Sequence, residues 1–277
     1  MVKKTFVFII ICLLVLMVGF TTALATDMDS CVTIGVDNTE EQIKQVYGFF
    51  RINRGDVKEL QVTNAEERKY LESAVPEEKI GSVALSCIYI ETRNSGGLEL
   101  ETYNINWVTD EMYKSALTTA GITDAKVIVA AAKPVSGTGA LTGVYKAYEN
   151  LSGEALDEIL KGVATEELVV TGELQEVLGD VSSDIINDLK QELERTKTMS
   201  DDEIRALIKE VAARYDVTLT SDQVEEILAL IKKLNESGVD PETFLKIAEV
   251  GEGAKGFFDS VGDFFKGIGD YFKNIFQ

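Results

Sequence analysis

Along the first half of the chain, short hydrophobic runs alternate with stretches whose apolar residues recur every three or four positions. The hydrophobic runs predict strands at residues 32–36, 60–63, 82–92, 98–107 and 126–132. The helical spacing predicts helices at residues 39–50, 65–74 and 109–120. The resulting order, β-α-β-α-β-β-α-β, predicts an α/β sandwich domain with a mixed sheet.

The third and fourth predicted strands are separated by residues 94–97, Asn-Ser-Gly-Gly. This sequence suits the positive backbone angles of a hairpin turn, so we expect the two strands to pair with each other. In the fourth strand, one set of alternating positions reads Glu99, Glu101, Tyr103 and Ile105. We therefore expect this face of the strand to meet water.

Beyond Pro134 the pattern changes to helical spacing with almost no strand signal. The predicted helices cover residues 138–149, 164–178, 182–193, 200–215, 221–235 and 241–250. The two halves predict an α+β fold, with an N-terminal mixed-sheet α/β sandwich domain, an all-helical C-terminal domain and an amphipathic terminal helix. The expected units are residues 1–25, 26–150, 151–250 and 251–277.

Residues 1–25 are typical of a removable secretory signal peptide. Lys3 and Lys4 precede an uncharged run that ends at Phe20, and small residues occupy the cleavage positions up to Ala25. The uncharged run is about sixteen residues long, shorter than the roughly twenty that a bilayer-spanning helix needs, and a retained anchor is the alternative. We expect cleavage near Ala25 and an extracytoplasmic protein, either secreted or associated with the cell surface.

The chain carries 27 basic and 47 acidic side chains and no histidine, for a net charge of −20. Loss of residues 1–25 removes two lysines and changes this charge to −22. Such an excess repels polyanions, so we expect no nucleic-acid partner. The missing imidazole excludes Ser-His-Asp triads, Cys-His pairs and zinc sites with nitrogen ligands. No stretch has the ligand spacing of an EF-hand, so we expect neither a metal site nor a cofactor.

Two cysteines, Cys31 and Cys87, stay in the chain after cleavage, because Cys12 lies in the signal. Both fall in strand-like stretches, so a disulfide requires neighbouring strands with Cα atoms within about 7 Å. The alternative is a pair of buried free thiols, which are inert because apolar burial raises the thiol pKa.

The densest polar and aromatic cluster lies where the fourth strand leads into a helix. It comprises Asn104, Asn106, Trp107, Asp110 and Glu111. An aromatic face beside amides and carboxylates is able to hold a sugar ring, so these are candidate ligand-binding residues. The alternative is structural: Trp107 anchors the core, Thr109 or Asp110 caps the helix, and Glu111 favours its positive N-terminal end.

Residues 137–143 follow a strand and open a helix, with glycines at positions 137, 139 and 143. Their spacing departs from the dinucleotide-binding fingerprint, and no lysine follows Gly143 as a nucleotide-triphosphate loop requires. We expect these small residues to let the helix pack closely on the sheet. A carboxylate or phosphate bound at the helix N-terminus is the other interpretation.

The last segment separates apolar from polar residues completely on a helical wheel. Its apolar arc contains Phe257, Phe258, Val261, Phe264, Phe265, Ile268, Tyr271, Phe272, Ile275 and Phe276. Three glycines in the segment each cost roughly 1 kcal/mol in a helix, so it needs an apolar surface to fold against. That surface is the protein's own body, a membrane interface or a groove of an envelope protein.

Several motifs resemble those of one protein family. They are residues 101–113 (ETYNINWVTDEMY), 62–67 (VTNAEE) with 69–71 (KYL), 135–138 (VSGT) with 140–143 (ALTG), and 217–220 (VTLT). The chain resembles an exported family of Gram-positive bacteria catalogued as domain of unknown function 1002. The resemblance implies export and a shared fold, and it implies no activity, cofactor or catalytic residue.

From these features we expect a non-enzymatic binding or scaffolding module of the cell envelope, attached through its C-terminal amphipathic helix. The alternative is a carboxylate-dependent hydrolase of cell-wall polysaccharide, with Asp110 and Glu111 as its carboxylates. Two carboxylates across an open groove would favour the hydrolase, whereas a filled environment around Trp107 with no cleft would favour binding or scaffolding. The sequence does not set the oligomeric state.

Overall fold

The computed structural model describes residues 30–72, 74 and 81–244. Its strands are β1 (Ser30–Gly35), β2 (Lys58–Val62), β3 (Cys87–Thr92), β4 (Leu98–Ile105) and β5 (Ala125–Val135). They form one mixed sheet in the order β2-β1-β3-β5-β4. The pairs β1–β2 and β4–β5 are parallel, and the pairs β1–β3 and β3–β5 are antiparallel.

The helices follow the predicted order. They are α1 (Glu40–Phe50), α2 (Asn64–Leu71), α3 (Asp110–Thr119), α4 (Ala140–Ser152), α5 (Glu158–Leu178), α6 (Val181–Gln191), α7 (Leu193–Thr196), α8 (Asp201–Arg214) and α9 (Ser221–Glu236). Capping boxes at Thr39, Thr63, Ser200 and Thr220 set where four of them begin. A mixed sheet in the first half and helices in the second confirm the α+β fold.

Helices cover both faces of the sheet. On one face, Val46 and Phe50 of α1 pack against side chains of β1, β3 and β5. On the other face, α3 and α4 form the larger core with the sheet. At Gly143 of α4, a Cβ atom would lie only 2.6 Å from Thr33 Oγ1 of β1. This glycine therefore allows the close packing of helix on sheet that the sequence predicted.

The predicted hairpin between β3 and β4 is wrong. Strand β5 lies between them and pairs with both. Residues 94–97 form a bend instead of a hairpin turn, although Gly96 and Gly97 do have the expected positive φ angles, 109° and 77°. However, residues 127–131 of β5 are all buried. A strand buried on both faces belongs in the middle of a sheet, whereas the alternating strand β4 is suited to its edge.

The water-facing side of β4 is confirmed for its first part only. Glu99 and Glu101 form surface ion pairs with Lys126, at 3.3 and 3.5 Å. The alternation breaks at Asn104, which has a φ angle of 57° and marks a shift in the pairing with β5. Ile105 consequently packs against the core on the other side of the sheet. Its predicted place on the water-facing side is wrong for this reason.

Helices α5 to α9 enclose a second core. The predicted stripes on α8 and α9 are buried there, namely Ile204, Leu207, Ile208, Val211, Val224, Ile227, Leu228, Ile231 and Leu234. Helix α5 contributes to both cores, with Leu168 on the sheet side and Leu174 on the helical side. The division of the chain into separate units near residue 150 stays a prediction.

The disulfide between Cys31 and Cys87 is not formed, and both residues are buried free thiols. Their strands are neighbours, but Cys31 is opposite Ile90 and Cys87 is opposite Ile34. The two cysteines are therefore about 10 Å apart along the strands. They also belong to cores on opposite faces of the sheet. Burial raises the pKa of both thiols, that of Cys87 to about 12, as expected for inert cysteines.

Residues 1–25 and 251–277 lie outside the described residues, so the signal peptide and the amphipathic C-terminal helix stay predictions. Of the helices that the structure describes, none combines the length and the low charge needed to span a membrane.

Candidate ligand-binding cleft

A cleft of about 600 Å³ lies where the sheet-based half meets the helical half. One wall comes from the C-terminal end of β4 and the first turn of α3, and it includes Asn106, Trp107, Asp110 and Glu111. The other wall comes from the end of α5 and the start of α6. The structure thus brings four of the five predicted ligand-binding residues to one cleft.

Trp107 joins the two halves at this cleft. Its indole Nε1 donates a hydrogen bond to Glu176 Oε1 of α5 at 2.7 Å. The ring lies so close to Gly172 of α5 that a Cβ atom there would collide with it. Trp107 is half-buried against the sheet-side core. It therefore anchors α5 to the sheet, as the structural interpretation expected, and it also lines the cleft.

Of the two possible caps of α3, Thr109 takes the role. Thr109 Oγ1 accepts a hydrogen bond from the backbone N–H of Met112 at 3.3 Å. Glu111 is exposed and forms an ion pair with Lys114 at 2.6 Å. Asp110 Oδ1 is buried and has no hydrogen-bond partner. The interpretation of Asp110 as the cap is wrong, because the helix already begins at Asp110 and the extended backbone of an N-cap is found at Thr109.

Asn104, the fifth predicted ligand-binding residue, does not line the cleft. Its side-chain amide donates a hydrogen bond to the backbone carbonyl of Ala131 at 2.8 Å, at the place where the pairing of β4 and β5 shifts. This bond gives Asn104 a structural role in the irregular part of the sheet. Asn106, two residues later, is exposed and lines the cleft.

The second wall consists of residues that sequence reasoning missed: Gln175, Asp180, Ser183 and Asp184. The sequence of residues 180–184, Asp-Val-Ser-Ser-Asp, is typical of a helix cap. Asp180 does occupy the N-cap position of α6, but its side chain makes no capping hydrogen bond. The one local signal was a pair of acidic residues at a helix start that no nearby lysine or arginine balances.

Three residues that line the cleft each have a buried side-chain oxygen without a hydrogen-bond partner. These oxygens are Asp110 Oδ1, Gln175 Oε1 and Ser183 Oγ. In the part of the chain that the structure describes, only Asn38 Oδ1 shares this condition. Because buried polar atoms are nearly always hydrogen-bonded, such a concentration at one cleft is unusual. It is consistent with a site that a ligand completes.

The carboxylates of the cleft influence one another. Burial raises the pKa of Asp184, and the nearby negative charges of Glu111 and Asp180 raise it further. In the described residues, no group of three or more acidic or cysteine side chains is arranged to hold a metal ion. The cleft is thus an acidic site with an aromatic wall, and its acidic groups are spread over both walls.

The glycine-rich segment at residues 137–143 is filled by the protein itself. A Cβ atom at Gly139 would collide with the carboxyl group of Glu67, which comes from α2. Glu67 is buried, and this burial raises its pKa to about 7. The protein's own carboxyl group therefore occupies the space at the start of α4 where an external anion was considered.

The fold and the cleft define an α+β protein in which a sheet-based half and a helical half meet at an acidic site with an aromatic wall. The chain belongs to the family described as "Protein of unknown function (DUF1002)", whose model matches residues 34–249. This match confirms the family resemblance and spans both walls of the cleft.

The chain is also 38% identical over 215 residues to the uncharacterized protein YpuA of Bacillus subtilis (strain 168). The similarity covers 76% of this chain and 74% of YpuA. No solved structure matches.

Proposed function

We propose that this protein is a non-enzymatic binding module of the cell envelope and that the cleft is its ligand site. The observation that carries the proposal is that three residues lining a cleft walled by Trp107 each hold a buried polar atom without a partner, namely Asp110 Oδ1, Gln175 Oε1 and Ser183 Oγ. Each unpartnered buried group costs the folded protein about 1–3 kcal/mol. A ligand that bonds to these atoms offsets this cost, so the arrangement favours binding over a purely structural role.

The walls of the cleft are held by contacts suited to a preformed site. Trp107 links the sheet to α5 through its bond to Glu176. A buried ion pair also joins the helices of the second wall, between Lys190 of α6 and Glu167 of α5 at 2.8 Å. Sites built on packed helices and strands lose little conformational entropy when a ligand binds. Both walls therefore support recognition with little rearrangement.

The location and attachment of the protein belong to the same proposal and rest on its sequence. Residues 1–25 direct export, and the apolar stripe between Phe257 and Phe276 attaches the protein to a membrane surface or an envelope protein. The test compares residues 26–277 with a variant ending at Glu252 in sedimentation with phospholipid vesicles. Equal vesicle association of the two proteins would reject attachment to membranes through this stripe.

The ligand site is tested through Trp107, the single tryptophan of the chain. Residues 26–277 are titrated with soluble cell-wall fragments, and we expect a saturable change in tryptophan emission. Ser183→Ala should weaken binding, because it removes an unpartnered group of the cleft.

Ser182→Ala is the matched control for this titration. Ser182 is also buried, but its hydroxyl group already donates to the carbonyl of Gly179 at 2.8 Å. We expect this variant to keep the emission change. An absence of saturable change with wild-type protein, or equal weakening in the two serine variants, would count against the cleft as a binding site.

A carboxylate-dependent hydrolase is the second candidate function. Its two carboxylates would be Asp110 and Asp184 instead of Asp110 and Glu111. Asp110 and Glu111 are consecutive in one helical turn, and Glu111 is paired with Lys114, so they do not face each other across the cleft. Asp184 lies on the opposite wall, and its raised pKa suits a general acid facing Asp110. Release of reducing ends from cell-wall polysaccharide, lost in both Asp110→Asn and Asp184→Asn, would favour the hydrolase.

A further inference from the structure

The cleft carries charge of one sign. Asp110, Glu111, Asp180 and Asp184 line it, and no lysine or arginine is among its lining residues. Lys114 balances Glu111 by an ion pair. In the described part of the chain, the other three carboxylates form no ion pair. A group of uncompensated negative charges of this kind attracts cations.

The unpartnered polar atoms independently indicate which hydrogen-bonding groups a ligand of the cleft must have. Ser183 is only 3% exposed, and its hydroxyl group has no partner although the residue lines the cleft. Gln175 Oε1 and Asp110 Oδ1 are acceptors that cannot donate. A ligand that satisfies these atoms must therefore bring hydrogen-bond donors. An anionic ligand rich in acceptors would satisfy neither the charge nor the bonding.

The geometry points to a ligand that places a protonated amino group in the cleft beside Trp107. An ammonium group supplies both a positive charge and three N–H donors, and an indole ring also favours a neighbouring cation. A bare metal ion fits less well, because the carboxylates of the described residues are not grouped closely enough to ligate one. This inference rests on the proposed function, since it names the ligand class of the same site.

The test uses pairs of probes in which acetylation removes the positive charge of the amino groups. One pair is the glucosamine tetramer and its N-acetylated form. The other is Nα-acetyllysine amide, whose one free amine is the side-chain ammonium, and Nα,Nε-diacetyllysine amide. We expect each free amine to bind at least about tenfold more tightly than its acetylated partner, measured by the emission of Trp107. The pair with the larger ratio identifies whether an amino sugar or an amino-acid side chain is the better source of the amine.

Two variants test whether the binding of amines depends on the charge of the cleft or on the overall negative charge of the protein. Asp184→Asn keeps the shape of the side chain and should lower the affinity for the free amines about tenfold, with no effect on the acetylated probes. Asp222→Asn removes an exposed charge in the first turn of α9 and should leave both affinities unchanged. The thermal melting curve of each variant verifies that it is folded.

The outcomes distinguish this inference from the function on which it rests. Equal binding of free and acetylated probes would overturn the amine inference and leave the binding function in place. The same conclusion holds if no probe binds while cell-wall fragments still change the emission of Trp107. If neither probes nor fragments bind, both proposals fail.

Discussion

Replacing Lys190 with methionine should remove a buried polar link between α3, α5 and α6. The Lys190 ammonium donates hydrogen bonds to Glu167 Oε1, Ser115 O and Ser115 Oγ, at 2.8, 2.9 and 3.0 Å. These residues belong to α6, α5 and α3, and the two charged side chains are 1% exposed. Each ammonium hydrogen has an acceptor, so Lys190 joins three helices at one point.

The size of the effect follows from the burial of this pair. Lys190→Met leaves the Glu167 carboxylate in the interior with only the hydroxyl groups of Ser115 and Thr119 as partners. Breaking a fully buried ion pair in this way costs about 3–5 kcal/mol. For a protein of this length, that corresponds to a fall in Tm of about 6 to 20 °C. Circular dichroism at 222 nm during heating at pH 7 measures it.

Two further variants control this experiment. Lys190→Met combined with Glu167→Gln removes both charges but keeps an amide for the hydroxyl groups, so its Tm should lie above that of Lys190→Met alone. Lys197→Met makes the same replacement in an exposed pair with Glu194 and should change Tm little. A double variant that melts below the single variant, or a Lys190→Met protein that melts like wild type, would refute the reasoning.

Three further substitutions, two of them with a matched control substitution, test other parts of the structure. Ser183→Ala, which removes an unpartnered buried hydroxyl, should raise the free energy of unfolding in urea by about 1 kcal/mol, whereas Ser182→Ala should lower it by a similar amount by breaking a hydrogen bond. Burial raises the pKa of Glu67 from 4.5 to about 7, so the folded state holds this proton more tightly than the unfolded chain and loses stability as the pH rises through this interval. Wild type should lose about 3 kcal/mol of unfolding free energy in this way, and Glu67→Gln should not lose it. In urea titrations, the unfolding free energy of the variant minus that of wild type should therefore be lowest near pH 4 and should rise to a plateau above pH 7. Gly172→Ala should push the single tryptophan aside, lower Tm and shift its emission, whereas Gly162→Ala on the same helix meets no atom within 4 Å and should stabilise by up to about 1 kcal/mol.

The helices and strands could be predicted because each is encoded by residues close together in sequence. Thr39 caps α1 through a residue three positions later, and Ser200 does the same for α8. The apolar stripe of α9 is likewise visible within sixteen residues. Such local signals act before any tertiary contact forms, and the tertiary structure agrees with them here.

Strand pairing could not be predicted with the same success, because it depends on partners that are distant in the chain. The positive φ angles of Gly96 and Gly97 are a local feature, and they are present as predicted. The pairing of the strands is instead related to burial. Residues 127–131 of β5 are apolar without alternation, and this buried strand lies in the sheet between β3 and β4. The same limit applies to Cys31 and Cys87, whose strands are neighbours but whose register separates them.

One wall of the candidate site could be predicted from the sequence and the other could not, because only the first is formed by residues close together in the chain. Asn106, Trp107, Asp110 and Glu111 are contiguous enough to be recognised as a cluster, and they form one wall. The opposite wall is about 70 residues further along the chain, and it reaches the cleft only because α5 runs from one core to the other. A local pattern of acidic residues at a helix start does not distinguish a cap from a binding wall.

Trp107 shows why the structural and the ligand-binding interpretations of this cluster are compatible. The bond to Glu176 and the contact with Gly172 fix the indole ring, and a fixed ring is what a preformed site requires of an aromatic wall. Packing accounts for the position of Trp107, but it does not account for three buried polar atoms left without partners beside it. A fold selected for stability alone would have replaced Ser183 and Gln175 with apolar residues at no cost in hydrogen bonds. Their presence is therefore the feature that a ligand explains and that core packing does not.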